Sequence, residues 1–275
     1  RDSVASRGLG DVYKRQTTAT AESASAFGKG AIASVWDSTA VGSNTCAANG
    51  ATSAFGYYSC ATGCFGSASG YRAKATGCRS SAFGHKSCAT EYSSTASGYY
   101  AKATGTYATA FGAMSCATGA NSSAFGYWNR ATGTKSTASG YKSCATGTNS
   151  IAVGTCACAT TTGSGAFGAY SIATGTNEAH AFGRSATASG GASTALGYGA
   201  TSSGYGSLAG GLGITASGRY STAIGKASQA TGVCSTASGY KSCATASHSS
   251  AFGWEAKALG ECSTVVGKSS CATVA

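Results

Sequence analysis

The chain has 275 residues, among them 42 Gly, 13 Cys and no Pro, with a formal net charge of +11 at pH 7. A collagen-like triple helix would need Gly at every third position and abundant Pro, so it is excluded. A disordered linker is poor in aromatics, yet Tyr and Phe recur here at fixed places, and no stretch approaches the roughly 18 uninterrupted apolar residues of a membrane helix.

Residues 1–16 lack the pattern that fills the rest of the chain. Residues 6–16 resemble a translated adapter of the kind used in sequencing libraries, so residues 1–16 are set aside as a non-native scar. The native protein is then expected to begin upstream, with any initiator Met or signal peptide lost. Without four Lys/Arg and two Asp of that segment the net charge is +9. This excess is spread thinly, as on a cationic surface rather than a nucleic-acid groove.

Residues 17–275 read as one domain built from the unit Ala-x-Gly-x-x-(Ser/Ala)-x. It recurs every seven residues from Ala26 to Ala173, and again from Ala181 to Ala272 after a one-residue insertion near 179–180. Ala holds the first position in 34 of the 36 units and Gly the third in 30. Around Ser80-Ser81-Ala82-Phe83-Gly84, alternation by two places Ser80, Ala82 and Gly84 inward and Ser81 and Phe83 outward. A uniformly small inner side implies a narrow interior. Gly at the strand end supplies either a positive φ or the absence of a Cβ. A coiled coil would carry Gly in nearly every heptad, at about 1 kcal/mol each.

Alternate units differ, so two half-repeats make one coil. Thr follows Ala at Thr62, Thr76, Thr90 and onward to Thr174, while Phe55, Ser69, Phe83, Ser97 and Phe111 follow it in the units between. The expected fold is all-β: a single-stacked parallel β-roll, or β-solenoid, of 14-residue coils. About 18 coils at about 4.8 Å would form a rod near 86 Å long.

At Ser150-Ile151-Ala152-Val153-Gly154, Ser193-Thr194-Ala195-Leu196-Gly197 and Ser221-Thr222-Ala223-Ile224-Gly225 the repeat resembles the YadA-like head repeat of trimeric autotransporter adhesins. That resemblance implies a left-handed parallel β-roll with three chains side by side. It also implies display outside a bacterium, anchored in the outer membrane by a region beyond this sequence. Its partners would be host or matrix macromolecules or surface glycans, with no nucleic acid and no cofactor. The repeat is also similar to segments of phage-type tail fibres. A third reading is an ice-binding solenoid, since regular Thr arrays can order water, although Lys74, Lys102 and Arg130 interrupt that face.

An outward stripe of Phe55, Phe83, Phe111, Phe125, Val153 and Phe167 is more apolar than a monomer usually exposes, which points to a homotrimer face. Self-packing of the rings on a monomer is the alternative. After the next Gly come Tyr57, Tyr71, Tyr99, Tyr127 and Tyr141, interrupted by His85 and Ala113, with basic or aromatic neighbours. Tyr71, Arg72, Tyr99, Tyr127, Trp128, Tyr141 and Lys142 form the candidate ligand face, or else a self-stacking ladder with solvated lysines. Cysteines recur two residues before the Thr column, many of them two coils apart and beyond disulfide reach. Cys64 with Cys78 and Cys144 with Cys158 are one coil apart and are the candidate disulfides.

Catalysis is not expected, because outside the scar the acids are few (Glu22, Asp37, Glu91, Glu178, Glu255, Glu261) and His85, His180 and His248 lie far apart. A ladder of Cys on a flat wall offers no compact metal cluster.

Overall fold

A computed structural model describes residues 17–273, so the adapter-like segment lies outside the described residues. The chain divides into two compact units, the first ending at Lys135 and the second beginning at Ser136. Both are built alike. A two-residue strand such as Cys60–Ala61 turns into a three-residue strand such as Ser67–Ser69, and the pair makes one 14-residue coil. Each strand pairs in parallel with its counterparts one coil before and after. Cys60 sits opposite Cys46 and Lys74, and Ser67 opposite Ser53 and Ser81. The described residues hold 37 such strands, two to a coil, or about 18 coils in all. The all-β solenoid expected from the repeat is therefore the fold.

The interior is as narrow as the small-residue pattern implies. Ala61, Ala68, Ala75 and Ala82 are fully buried, as are the corner serines Ser59 and Ser80. One buried methyl group contributes only about 0.8 kcal/mol, so apolar burial per coil is modest. Backbone pairing between coils supplies the rest. Beyond the strands it continues through the turns, as in Ser67 N–H to Ser80 O at 2.9 Å and Tyr100 N–H to His85 O at 2.9 Å. Several corner hydroxyls are satisfied locally: Ser94 Oγ donates to Glu91 O and Ser235 Oγ to Gly232 O, both at 2.7 Å. Where Ser202 replaces the inward Ala, its hydroxyl lies 2.6 Å from Ser207 Oγ, inside the coil.

The two glycine columns answer to different constraints. After the longer strand, glycines from Gly28 to Gly267 all have φ between +111° and +139°, as at Gly56 with +118°. A Cβ on Gly56 would also lie 2.5 Å from Gly70 O. After the shorter strand φ is not positive, and crowding acts alone: a Cβ on Gly63 would meet Gly77 O at 1.9 Å. Departures from Gly among the described residues fall only in this second column, at Ala21, Val35, Asn49, Glu91, Thr161 and Ala246. Crowding yields to a small backbone shift, whereas a positive φ remains a penalty for any L side chain.

Each half-repeat also carries one residue in the left-handed region, usually not Gly. Arg72 (φ 53°), Tyr100 (φ 54°), Met114 (φ 56°) and Trp128 (φ 57°) are examples. Such residues cost of order 1 kcal/mol each. The extra residue of the second unit is taken up here. Asn177 (φ 57°) and Glu178 (φ 51°) are both left-handed, and the strand His180–Phe182 resumes in frame with Gly165 opposite His180.

Candidate binding faces

The longer strand presents the apolar column. Phe55, Phe83, Phe111 and Phe125 are exposed, with Phe111 the most open at 59%. Phe111 and Phe125 are direct ladder neighbours, and Val153, Phe167 and Phe182 form the corresponding column of the second unit. Phe167 is half-buried because its ring stacks on Phe182 at 5.0 Å and 3°. Ser69, Ser97 and Ser139 break the column between them.

Beside it runs an aromatic edge in the first unit. Tyr57 and Tyr71 stack at 5.5 Å, Tyr71 and His85 at 4.8 Å, and His85 and Tyr99 at 5.0 Å, all within 18° of parallel. His85 therefore does not interrupt the ladder, as its residue type had led us to expect. A flat imidazole fills one ring's place at the coil spacing. Ala113 does interrupt it. Cations at or near the left-handed positions lean over the rings: the Arg72 guanidinium is 5.5 Å from the centre of Tyr71, and Lys86 Nζ is 4.7 Å from that of Tyr100. Of the expected ligand residues, Tyr71, Arg72 and Tyr99 share this edge. Tyr127 and Trp128 stack at 6.1 Å two coils further on, and Tyr141 with Lys142 belongs to the second unit. In that unit the same column brings Tyr240 onto Trp254 at 4.1 Å, beside the exposed ion pair Lys241–Glu255.

A second set of rings lies half a coil away and was not anticipated. Tyr92 and Tyr107 meet edge-on at 5.5 Å, and Arg79 Nη1 donates to Tyr92 Oη at 2.9 Å. In the second unit Arg219 lies over both Tyr205 and Tyr220. Their signal was a Tyr seven (Tyr92, Tyr205) or eight (Tyr107, Tyr220) residues beyond a member of the Tyr57 column.

In the turn after the shorter strand Cys64 and Cys78 form a disulfide, with Cα atoms 4.6 Å apart. Cys144 and Cys158 face one another across the ladder, and hydrogen bonding to Cys144 holds the Cys158 thiol well above its ordinary range. Cys46 and Cys60 form a matching pair. Their 14-residue spacing was visible in the sequence but not drawn on. The hydrogen bond between them lowers Cys60 to about 7 against the opposing effect of burial, with help from Lys74, and pushes Cys46 far up.

Two-strand coils with an all-glycine positive-φ column and an alanine interior recur through both units. The model for the YadA head domain repeat (2 copies) matches residues 19–45, 61–87, 89–113, 117–143, 131–157, 179–200, 188–213, 216–242 and 244–270. The chain belongs to the YadA head repeat family. Membership makes these coils an adhesin-type, structural domain of the kind displayed at a cell surface. Comparison with curated proteins returns no match.

Proposed function

We propose that the chain is the head of a surface adhesin that acts as a homotrimer and holds its targets by repeated contacts along its coils. The observation that carries this reading is the exposed column Phe55, Phe83, Phe111 and Phe125 of the first unit, matched by exposed Val153 in the second, which a lone chain would leave in water. A cyclic assembly buries the same stripe of every copy against its neighbours. The family supports three copies. The Tyr71–Tyr99 edge and the lysines beside it then face outward and supply many weak contacts, whose strength grows with number rather than with any single site. On this reading what is bound is set by the side chains on the columns and not by the fold itself.

Sedimentation of the full chain tests the assembly. A species of three times 26.6 kDa is expected, and a clean monomer at micromolar concentration overturns the reading. Retention on matrix-coated surfaces, compared with uncoated ones, tests adhesion itself.

A further inference from the structure

One ring is missing from the Tyr57 edge. Tyr57, Tyr71, His85 and Tyr99 place a ring on each successive coil. Tyr127 takes the same column two coils beyond Tyr99, but the coil between them carries Ala113. The neighbouring left-handed position changes in the same way, with Met114 between Tyr100 and Trp128. Tyr100 does not fill the gap. Its hydroxyl accepts a hydrogen bond from Lys86, and its ring centre lies 5.5 Å from His85, so it leans toward the preceding coil.

Over Met114 lies an open groove of about 730 Å³. Tyr99, Tyr100 and Trp128 line it with Met114 and Cys116. Lys102 and Arg130, both exposed, are the ladder partners of Cys116 from the two sides. The two cations therefore stand two ladder steps apart, about 9.6 Å. No carboxylate opposes them: from residue 92 to residue 177 the sequence contains no Asp or Glu.

We propose that this groove binds an anionic polysaccharide. One saccharide ring packs over Met114 among Tyr99, Tyr100 and Trp128, and acidic groups of the chain rest on Lys102 and Arg130. The inference rests on the adhesin reading and adds the ligand class. Tyr100 and Trp128 hold the same turn position two ladder steps apart with only the slimmer Met114 between them, and the C–H face of a sugar packs on an aromatic ring as another ring would. Two like charges at this separation match a polymer bearing an acidic group on each repeat. A neutral glycan would leave both cations unused. A single-stranded nucleic acid needs a row of free stacking platforms, and the rings from Tyr57 to Tyr99 already cover one another's faces.

The experiment is a titration of the full chain with hyaluronan and heparin oligosaccharides, using size-matched maltooligosaccharide and oligothymidylate as controls. Both acidic oligosaccharides should bind, more weakly as salt rises, and the neutral one should not. Met114→Trp, which fills the groove with the residue type found at position 128, should weaken binding by roughly tenfold or more. The double variant Lys102→Gln/Arg130→Gln should do the same without touching the slot, while Lys135→Gln should change binding by less than about twofold. Unchanged binding by both the filled-slot and the charge variants, equal binding of the neutral oligosaccharide, or tighter binding of oligothymidylate overturns the proposal. Retention on matrix-coated surfaces is measured in parallel. Adhesion that persists when no acidic oligosaccharide binds overturns the groove alone, and loss of adhesion as well overturns the adhesin reading.

Discussion

Cys64 and Cys78 are 14 residues apart in sequence and 4.6 Å apart at Cα, joined through their sulfurs. They hold the same turn position on consecutive coils, so the bond clamps one coil to the next across a direction otherwise held by hydrogen bonds. Closing a loop of this length restricts the unfolded chain by about 3 kcal/mol. Reduction, or Cys64→Ser/Cys78→Ser, is expected to remove about that much stability. In a solenoid each coil contacts only its neighbours, so the loss is local. Amide exchange should quicken around Cys60–Ala61 and Lys74–Ala75 and stay unchanged at Lys257–Ala258, with unchanged exchange at both places counting against the account.

Two glycines in adjoining half-repeats separate strain from crowding. Gly154 has φ +138°, and a Cβ there would lie 2.4 Å from Gly168 O. Gly147 has no positive φ, and its successor in the same column is Thr161. Gly154→Ala should therefore cost about 3 kcal/mol or more, and Gly147→Ala at least about 1 kcal/mol less. Urea denaturation of the two variants measures the difference.

The pair Cys46 and Cys60 should respond to pH. With Cys60 lowered to about 7 by its hydrogen bond with Cys46 and by Lys74, the native pair sheds its first proton before an unfolded thiol does. From about pH 7 to pH 9 the unfolded state then holds more protons, and stability rises with pH. Above that range Cys46, held far up, keeps its proton while the unfolded chain loses both, and stability falls. Alkylation of Cys60, followed by mass spectrometry of its peptide, should switch on near pH 7. In Cys46→Ser the onset should move upward, and an unmoved onset would discount the hydrogen bond.

The apolar column can be interrupted without disturbing the coil, since Ser97 and Ser139 already occupy it. Phe111→Ser with Phe125→Ser should leave the far-ultraviolet spectrum unchanged. Each lost ring removes about 1.5–3 kcal/mol of interface burial, enough to turn a trimer into monomers at micromolar concentration. Trimers that persist would place the interface on another column.

Much of this was legible because a strict repeat turns sequence position into spatial position. Ala68 and Ala82 inward, Phe83 outward and Cys64 above Cys78 all follow from counting by 2 and by 14. Details that depend on how one side chain meets the next were not. His85 looked like an interruption because residue type says nothing of ring orientation. The two roles of Gly56 and Gly63 share one motif and separate only in φ. The groove over Met114 is lined by rings on other coils, Tyr99, Tyr100 and Trp128, whose orientation the residue types do not give. The extra residue shows as a phase shift in the sequence, but its place at Asn177–Glu178 depends on which turn accepts a second left-handed residue.

That turn also shows what lengths of insertion the coil can absorb. One added residue disappears into a corner, and the strands beyond it stay in frame, with Ala166 still opposite Ala181. Gain or loss of 14 residues would exchange a whole cassette and keep every column intact. Gain or loss of seven would swap the walls, setting Phe where Thr belongs and a non-glycine such as Glu91 at a position that needs positive φ. Unequal recombination among near-identical coils can thus lengthen or shorten the protein freely, provided it moves in even half-repeats.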